Sequence, residues 1–291
     1  MSWLESIISP LSFLFEADKR IYWLYLLSSG LLAFFISGKQ FFSVKLWFNR
    51  SSLVDLCWLF INQWIFKLLV IPLFALQVSY ALTINNFLTD LFGSGNYWQL
   101  NQPVLVILFT FILFISQDFA KFLVHFTLHK IPFLWRFHAV HHSATTLTPL
   151  TLYRIHPVEM LINSLRSLLI GALVSGLFVY LFKNPLGITQ ILGVNLFVFI
   201  FNIAASNLRH SPVWLGFSKC EYLFISPAQH QIHHSAAVQH FDKNFGSALA
   251  VWDYLFNSLL LSKEQAVKSF GLDNKGINRQ NLKKQWRGIK S

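Results

Sequence analysis

From residue 160 to residue 206 the chain reads MLINSLRSLLIGALVSGLFVYLFKNPLGITQILGVNLFVFIFNIAAS. Two apolar runs, 160–182 and 186–206, are joined only by Lys183, Asn184 and Pro185. Each is about the 20 residues that a membrane-crossing helix needs, and so short a connection makes them an antiparallel hairpin that leaves the membrane on the side it entered. All eleven histidines lie either between His125 and His156 or between His210 and His240. The hairpin therefore brings both groups to one membrane face.

The rest of the chain agrees with a membrane reading. Of 291 residues, 54% are hydrophobic, 31 are Phe and 12% are charged, against roughly 25% charged in soluble domains. That excludes an ordinary soluble enzyme, a disordered tail and a disulfide-rich secreted module. Further apolar segments cover 21–37, 53–84 (one long helix bent near Pro72) and 103–125, while 7–15, which carries Pro10, is too short to span and suits the interface. No cleavable signal peptide is expected, since the start lacks a basic n-region. The expectation is an all-α integral membrane protein with four to five transmembrane helices and a cytoplasmic helical cap. Cys57 and Cys220, flanked by apolar sequence, are expected as packed thiols.

Orientation follows from the loops. Residues 85–102 contain no Lys or Arg, whereas Lys130, Arg136 and Arg154 follow the third segment, and Arg209 and Lys219 follow the last. The positive-inside rule places the histidine-bearing side in the cytoplasm. The 23 Lys plus Arg against 12 Asp plus Glu, net +11, fit anionic headgroups of membrane lipids better than nucleic acid, which is not expected as a partner. The basic tail, 263–291, is expected to be solvated near lipid phosphate. The chain then divides into an N-terminal membrane region (1–102), a histidine-bearing domain (103–262) and this tail.

His125 and His129 stand at i, i+4, so a helix projects both from one side, and Asp118 shares that face. The second cluster is His138, His141 and His142; the third is His230, His233 and His234. Offsets of i, i+3, i+4 suggest a short helix presenting a triad in each. Pro132 can begin the second helix, and Ser226, Pro227 and Gln229 form a helix start of the capping-box type for the third. Eight imidazoles exceed what one metal uses, so two metals are expected; ligand type alone leaves Zn, Cu, Fe and Ni open. A site at the ends of apolar helices is open to lipid chains, whose C–H bonds call for oxidising metal chemistry.

The order His-x3-His, His-x2-His-His, His-x2-His-His, with one triad on each side of a hydrophobic hairpin, resembles the fatty acid hydroxylase and sterol desaturase superfamily. The resemblance is dense from Asp118 to Phe256. It includes Trp135-Arg-Phe-His-Ala-Val-His-His-Ser143, Arg154-Ile-His-Pro-Val-Glu159, Asn207-Leu-Arg-His-Ser211, Ser226-Pro-Ala-Gln-His-Gln-Ile-His-His-Ser235, Asp242-Lys-Asn-Phe-Gly246 and Trp252-Asp-Tyr-Leu-Phe256. It implies a non-haem di-iron enzyme that uses O2 and electrons from a donor protein, of reductase, cytochrome or ferredoxin type, to hydroxylate or desaturate a lipid. The implied ligands are the eight clustered histidines, with His210 and His156 as further candidates. Asp118, Glu159, His240, Asp242 and Asn244 are expected to orient ligating rings. Phe126 and Ala205 depart from the superfamily pattern, which has Arg at the first of these positions in many relatives and His at the second in some. A neighbouring option is an ether-cleaving monooxygenase using a reduced pterin. Outside enzymes, the alternative is a non-catalytic metal-binding or transport protein; Gln63, Gln190, Asn195 and Asn202 are its only hints of an intramembrane polar path, because the ionisable residues gather at one face.

Overall fold

A computed structural model describes residues 9–38, 43–183, 196–203, 206–272 and 280–289. Among them all regular structure is helical, with only isolated β-bridges. A 3-10 turn, Ser9–Phe15, leads into α1 (Trp23–Ser37), a short α2 (Val44–Trp47) and α3 (Arg50–Ile65). The Asn49 side chain caps α3 by accepting from the Ser52 N–H at 3.1 Å. A π turn, Phe66–Val70, separates α3 from α4 (Ile71–Phe92). The bend expected at Pro72 thus lies just before it, because proline supplies no N–H to the preceding turn and the backbone there widens to compensate.

α5 (Gln102–Lys130) starts at an Asn101 cap and stops at Ile131, which is extended (φ −99°, ψ 113°). The residue before a proline avoids helical geometry, so α6 (Pro132–His142) begins afresh at Pro132, as its sequence suggests. α7 (Pro157–Leu181) follows, capped by the His156 ring. Then come α8 (Leu196–Ile203), the 3-10 turn Ser206–His210, α9 (Pro227–His233), α10 (Val251–Leu255) and α11 (Leu282–Trp286). The capping box of α9 is formed in both directions: Gln229 N–H donates to Ser226 Oγ at 3.1 Å and Ser226 N–H to Gln229 Oε1 at 3.0 Å.

Of the described helices, α5 and α7 are long and apolar enough to cross a membrane, at 29 and 25 residues; α1 is shorter and α4 more polar. The turn of the expected hairpin, with Gln190 and Asn195, lies outside the described residues, as does Ala205. α7 packs against both α4 and α5. Gly171 and Gly176 allow the close approach of α4: a Cβ there would meet Gln77 Nε2 at 2.6 Å and the Ala81 carbonyl at 2.7 Å, so small residues at the crossing bring the backbones together. Leu105, Phe109, Val174 and Phe178 form the core between α5 and α7. The loop after α4 clips onto the end of α7 through Trp98 N–H to Leu181 O at 3.1 Å and Lys183 N–H to Trp98 O at 2.9 Å. That end is opposite the histidines.

Two expectations are corrected. The last described residues are not a solvated tail: Trp58 Nε1 donates to Gln285 Oε1 at 2.6 Å, Ile289 N–H donates to Arg136 O at 2.8 Å, and Ile289 joins a core with Val54, Trp58, Ala139 and Val140. The apolar and amide residues between the lysines decide this, and net charge hides them. Cys57 and Cys220 are exposed rather than packed; beside Cys57 it is Trp58 that turns inward, since adjacent helical positions turn about 100°, and Cys220 stands between Lys219 and Glu221 in a 3-10 turn.

Candidate metal centre

His125 and His129 occupy the last two turns of α5, His138, His141 and His142 the end of α6, and His230, His233 and His234 lie along and just beyond α9. Their ring nitrogens fall into two groups, His125, His129, His138, His142 and His233 in one and His141, His210, His230 and His234 in the other, each group's ligand atoms lying within 4.8 Å of one another. The triads are therefore not presented as units. Each sends its i, i+4 pair to one group and its i+3 ring to the other, because i+3 and i+4 sit about 100° apart around a helix. His138 and His142 pair with His233; His230 and His234 pair with His141.

The nitrogens that face inward crowd together. Nε2 of His138 is 3.0 Å from that of His125 and 3.2 Å from that of His142. Nε2 of His210 is 3.0 Å from His230 and 3.3 Å from both His141 and His234. Nε2 of His129 and of His233 is buried without a partner among the described residues. Two outward nitrogens are tied to backbone: His125 Nδ1 donates to Phe245 O at 2.7 Å and His233 Nδ1 to Lys243 O at 2.8 Å. This fixes the tautomer that leaves the Nε2 lone pair pointing inward. Burial holds His141 and His233 down to about 3, and burial likewise pushes His142, His210, His230 and His234 well below the ordinary value. Near neutral pH these rings are uncharged bases. Neutral imidazoles with converging, unpartnered lone pairs fit a bound cation in each group, and unpaired they would be costly to bury.

The remaining candidates divide. Glu159 Oε2 lies 3.0 Å from His138 Nδ1, both buried. Asp242 Oδ1 stands 3.7 Å from His129 Nδ1 while Oδ2 accepts from Lys130 Nζ at 2.7 Å. His156 is not placed as a ligand: its Nδ1 accepts the Val158 N–H at 3.1 Å and its Nε2 donates to Trp286 O at 3.0 Å, so both nitrogens are engaged. His240 meets Gln265 Oε1 at 3.2 Å and not a ligating ring. Asn244 donates to the carbonyls of Gln229 and Leu260, at 3.1 and 2.9 Å, and so braces α9 itself.

Asp118 also departs from expectation. It shares a helix face with His125, but its oxygens accept from Ala248 N–H, Leu249 N–H and Trp252 Nε1, each at 3.0 Å. Asp253 accepts from Phe245 N–H and Gly246 N–H, both at 2.7 Å. Together the two carboxylates shape the loop whose Phe245 carbonyl holds the His125 ring. Phe245 and Lys243 act through backbone oxygens, which every residue has, so no residue type marks them in sequence; the motifs flanking them were the available signal. Asp118→Asn puts an amide N–H against one of these donors whichever way it is flipped. It is expected to cost about 1–3 kcal/mol and to loosen metal retention through His125. Thermal unfolding and metal content measured side by side check this, and wild-type values for both would remove Asp118 from the support.

Comparison with known proteins agrees with this geometry. The fatty acid hydroxylase family profile matches residues 110–258. The chain is 25% identical over 162 residues to an ornithine lipid hydroxylase, OlsE, of Rhizobium tropici (55% of this chain, 44% of that protein). It is 28% identical over 227 residues to a delta(7)-sterol 5(6)-desaturase, erg3B, of Aspergillus fumigatus (74% and 61%). It is 23% identical over 154 residues to the alkylglycerol monooxygenase of Homo sapiens (53% and 31%). The chain thus spans 31 to 61% of the length of these relatives, and no solved structure matches it. The match covers both histidine triads, His210 and the loop that positions them, and the chain belongs to the fatty acid hydroxylase family.

Proposed function

We propose that the chain is a multi-pass membrane oxygenase with two iron ions, which uses O2 and electrons from a separate donor protein to hydroxylate or desaturate a lipid. The observation that carries the reading is the pair of all-imidazole groups, five rings and four, buried save for the half-buried His125 and His129, at one end of α5 and α7. When bound there, iron supplies the activation of O2 that a C–H bond requires and that redox-inert zinc cannot supply. In hydroxylation one oxygen atom enters the C–H bond and the other leaves as water, with two electrons and two protons taken up.

The chain's own contribution is placement. The Phe245 and Lys243 carbonyls hold the His125 and His233 rings in the metal-binding tautomer, and the Glu159 carboxylate beside His138 Nδ1 orients that ring. Phe245, Phe122 and Leu128 are buried around the α5 end and keep water from the histidines. Support for a membrane setting with four to five spans comes from large apolar side chains left uncovered on several helices, among them Phe35 on α1, Phe87 on α4, Ile107 on α5 and Leu169 on α7.

Purified protein is expected to hold two irons per chain and to consume O2 in the presence of lipid and a reductant; a single dialysable ion and no O2 uptake would favour the metal-binding alternative. With the native cysteines replaced, single cysteines at exposed Ser94 and Val238 are expected to label from opposite sides of the membrane, with Val238 cytoplasmic. Labelling from one side would overturn the layout.

A further inference from the structure

A cavity of about 320 Å³ lies against both histidine groups, with His125 and His138 of one and His141, His210 and His230 of the other in its wall. The same wall carries four cationic side chains, Arg20, Lys121, Arg166 and Arg209, and one carboxylate, Glu159, which sits at His138. Asp118 accepts from the backbone and indole N–H groups described above; its charge also acts on Lys121, Arg166 and Arg209, but it forms no ion pair with them. Among the described residues no carboxylate lies within 4.0 Å of the nitrogens of any of the four cations.

Their partners are neutral. Arg20 donates to the Ser206 hydroxyl, and Arg209 donates to the Ser206 and Ser247 carbonyls. Arg166 donates to the backbone and side-chain oxygens of Gln117, at 3.1 and 2.5 Å, while its Nε is buried with no partner among the described residues. Burial pulls Arg20 down to about 10, so its surroundings compensate this charge poorly. Lys121 and Arg166 lie on the two helices long and apolar enough to span. Cations at such positions are expensive and mark a ligand path. Metal ions on the histidines would add further positive charge.

We propose that this cavity binds the anionic group, phosphate or carboxylate, of an amphipathic lipid substrate, so that the carbon presented to the histidine groups lies only a few bonds from that group. The inference rests on the lipid-oxidising reading and narrows its substrate class. Lys121 is one helical turn, about 6 Å, from His125, and Arg166 is two turns, about 10 Å, from Glu159. A cavity of this volume is at the small end of ligand pockets, which run from about 300 to 1,000 Å³. It takes a headgroup and the first carbons, and the remaining chain runs out into the bilayer.

The test measures binding to the full-length, metal-loaded protein in non-ionic detergent, apart from any turnover. The probes are dodecyl phosphate, dodecanoate, dodecanol, dodecyltrimethylammonium and inorganic phosphate. The anionic amphiphiles are expected to bind at least about 10-fold more tightly than dodecanol and the cationic one. Arg166→Gln and Lys121→Gln are each expected to weaken them about 10-fold, the size of one charge-assisted hydrogen bond, while Arg166→Lys keeps most of the affinity. Ser164→Phe, which fills the cavity from α7, is expected to abolish the preference. Equal binding of dodecanol, inorganic phosphate binding as tightly as the amphiphiles, unchanged affinity in Arg166→Gln, or a preference that survives Ser164→Phe would each overturn the proposal. Loss of O2-dependent lipid oxidation with the binding preference intact would instead count against the oxygenase reading.

Discussion

His233→Ala is expected to abolish turnover and to lower bound iron from about two towards about one per chain. The ring belongs to the five-histidine group although its helix neighbours His230 and His234 serve the other. Its Nδ1 is held by Lys243 O, and its Nε2 is buried and aimed inward with no partner among the described residues. Removing a group that only orients a ligand typically costs 10 to 100-fold; loss of a ligand is expected to exceed about 100-fold. The helix itself should survive, because its capping box and the buried Ile232 are untouched. His230→Ala is the mirror experiment and should spare the five-histidine group. Iron content and O2 consumption read both variants, and full turnover without His233 would remove it from the centre.

Arg154→Met is expected to destabilise the fold by about 3–5 kcal/mol, the usual cost of leaving one member of a buried ion pair alone. Arg154 and Asp55 are both fully buried, with Nε 2.5 Å from Oδ1. The guanidinium also donates to Ser51 O at 2.6 Å, Ser143 Oγ at 3.1 Å and Gln280 Oε1 at 3.0 Å, and Thr151 donates to Asp55 Oδ2 at 2.7 Å. One side chain therefore ties α3 to the residue after His142 and to the C-terminal segment. The double variant Asp55→Leu/Arg154→Met should recover much of the loss, since replacing both partners of a buried pair by apolar groups is often close to neutral. An unchanged melting temperature in Arg154→Met would show that the pair does not hold these segments.

What the sequence made legible was local. Pro132 restarts a helix because proline cannot continue one, and Ser226 with Gln229 caps α9 because those two side chains suit the orphan N–H groups at a helix start; both are fixed within four residues. The clustering of histidines at one end of α5 and α7 followed from counting residues along helices. Three features depended on distant parts of the chain. The exchange of His141 and His233 between groups needs the mutual rotation of α6 and α9. Asp118 faces His125 along α5, yet the loop at 245–249 offers it three N–H donors that no periodicity announces. His156 reads like a ligand beside Glu159, but its position one residue before Pro157 makes it the cap of α7.

The C-terminal segment gives the centre a history as well as a shape. Gln280 Nε2 donates to Ser143 O, and Gln285 Nε2 reaches Ser143 Oγ across 142 positions of sequence. A ribosome adding about 5–20 residues per second takes on the order of ten seconds to cover that interval. During it the helix bearing His138, His141 and His142 is already made but lacks the amides that brace its end. Closure of this end of the helix thus follows synthesis of the segment, and a nascent chain stalled before Gln280 would lack the clasp that Gln280 and Gln285 form with Ser143.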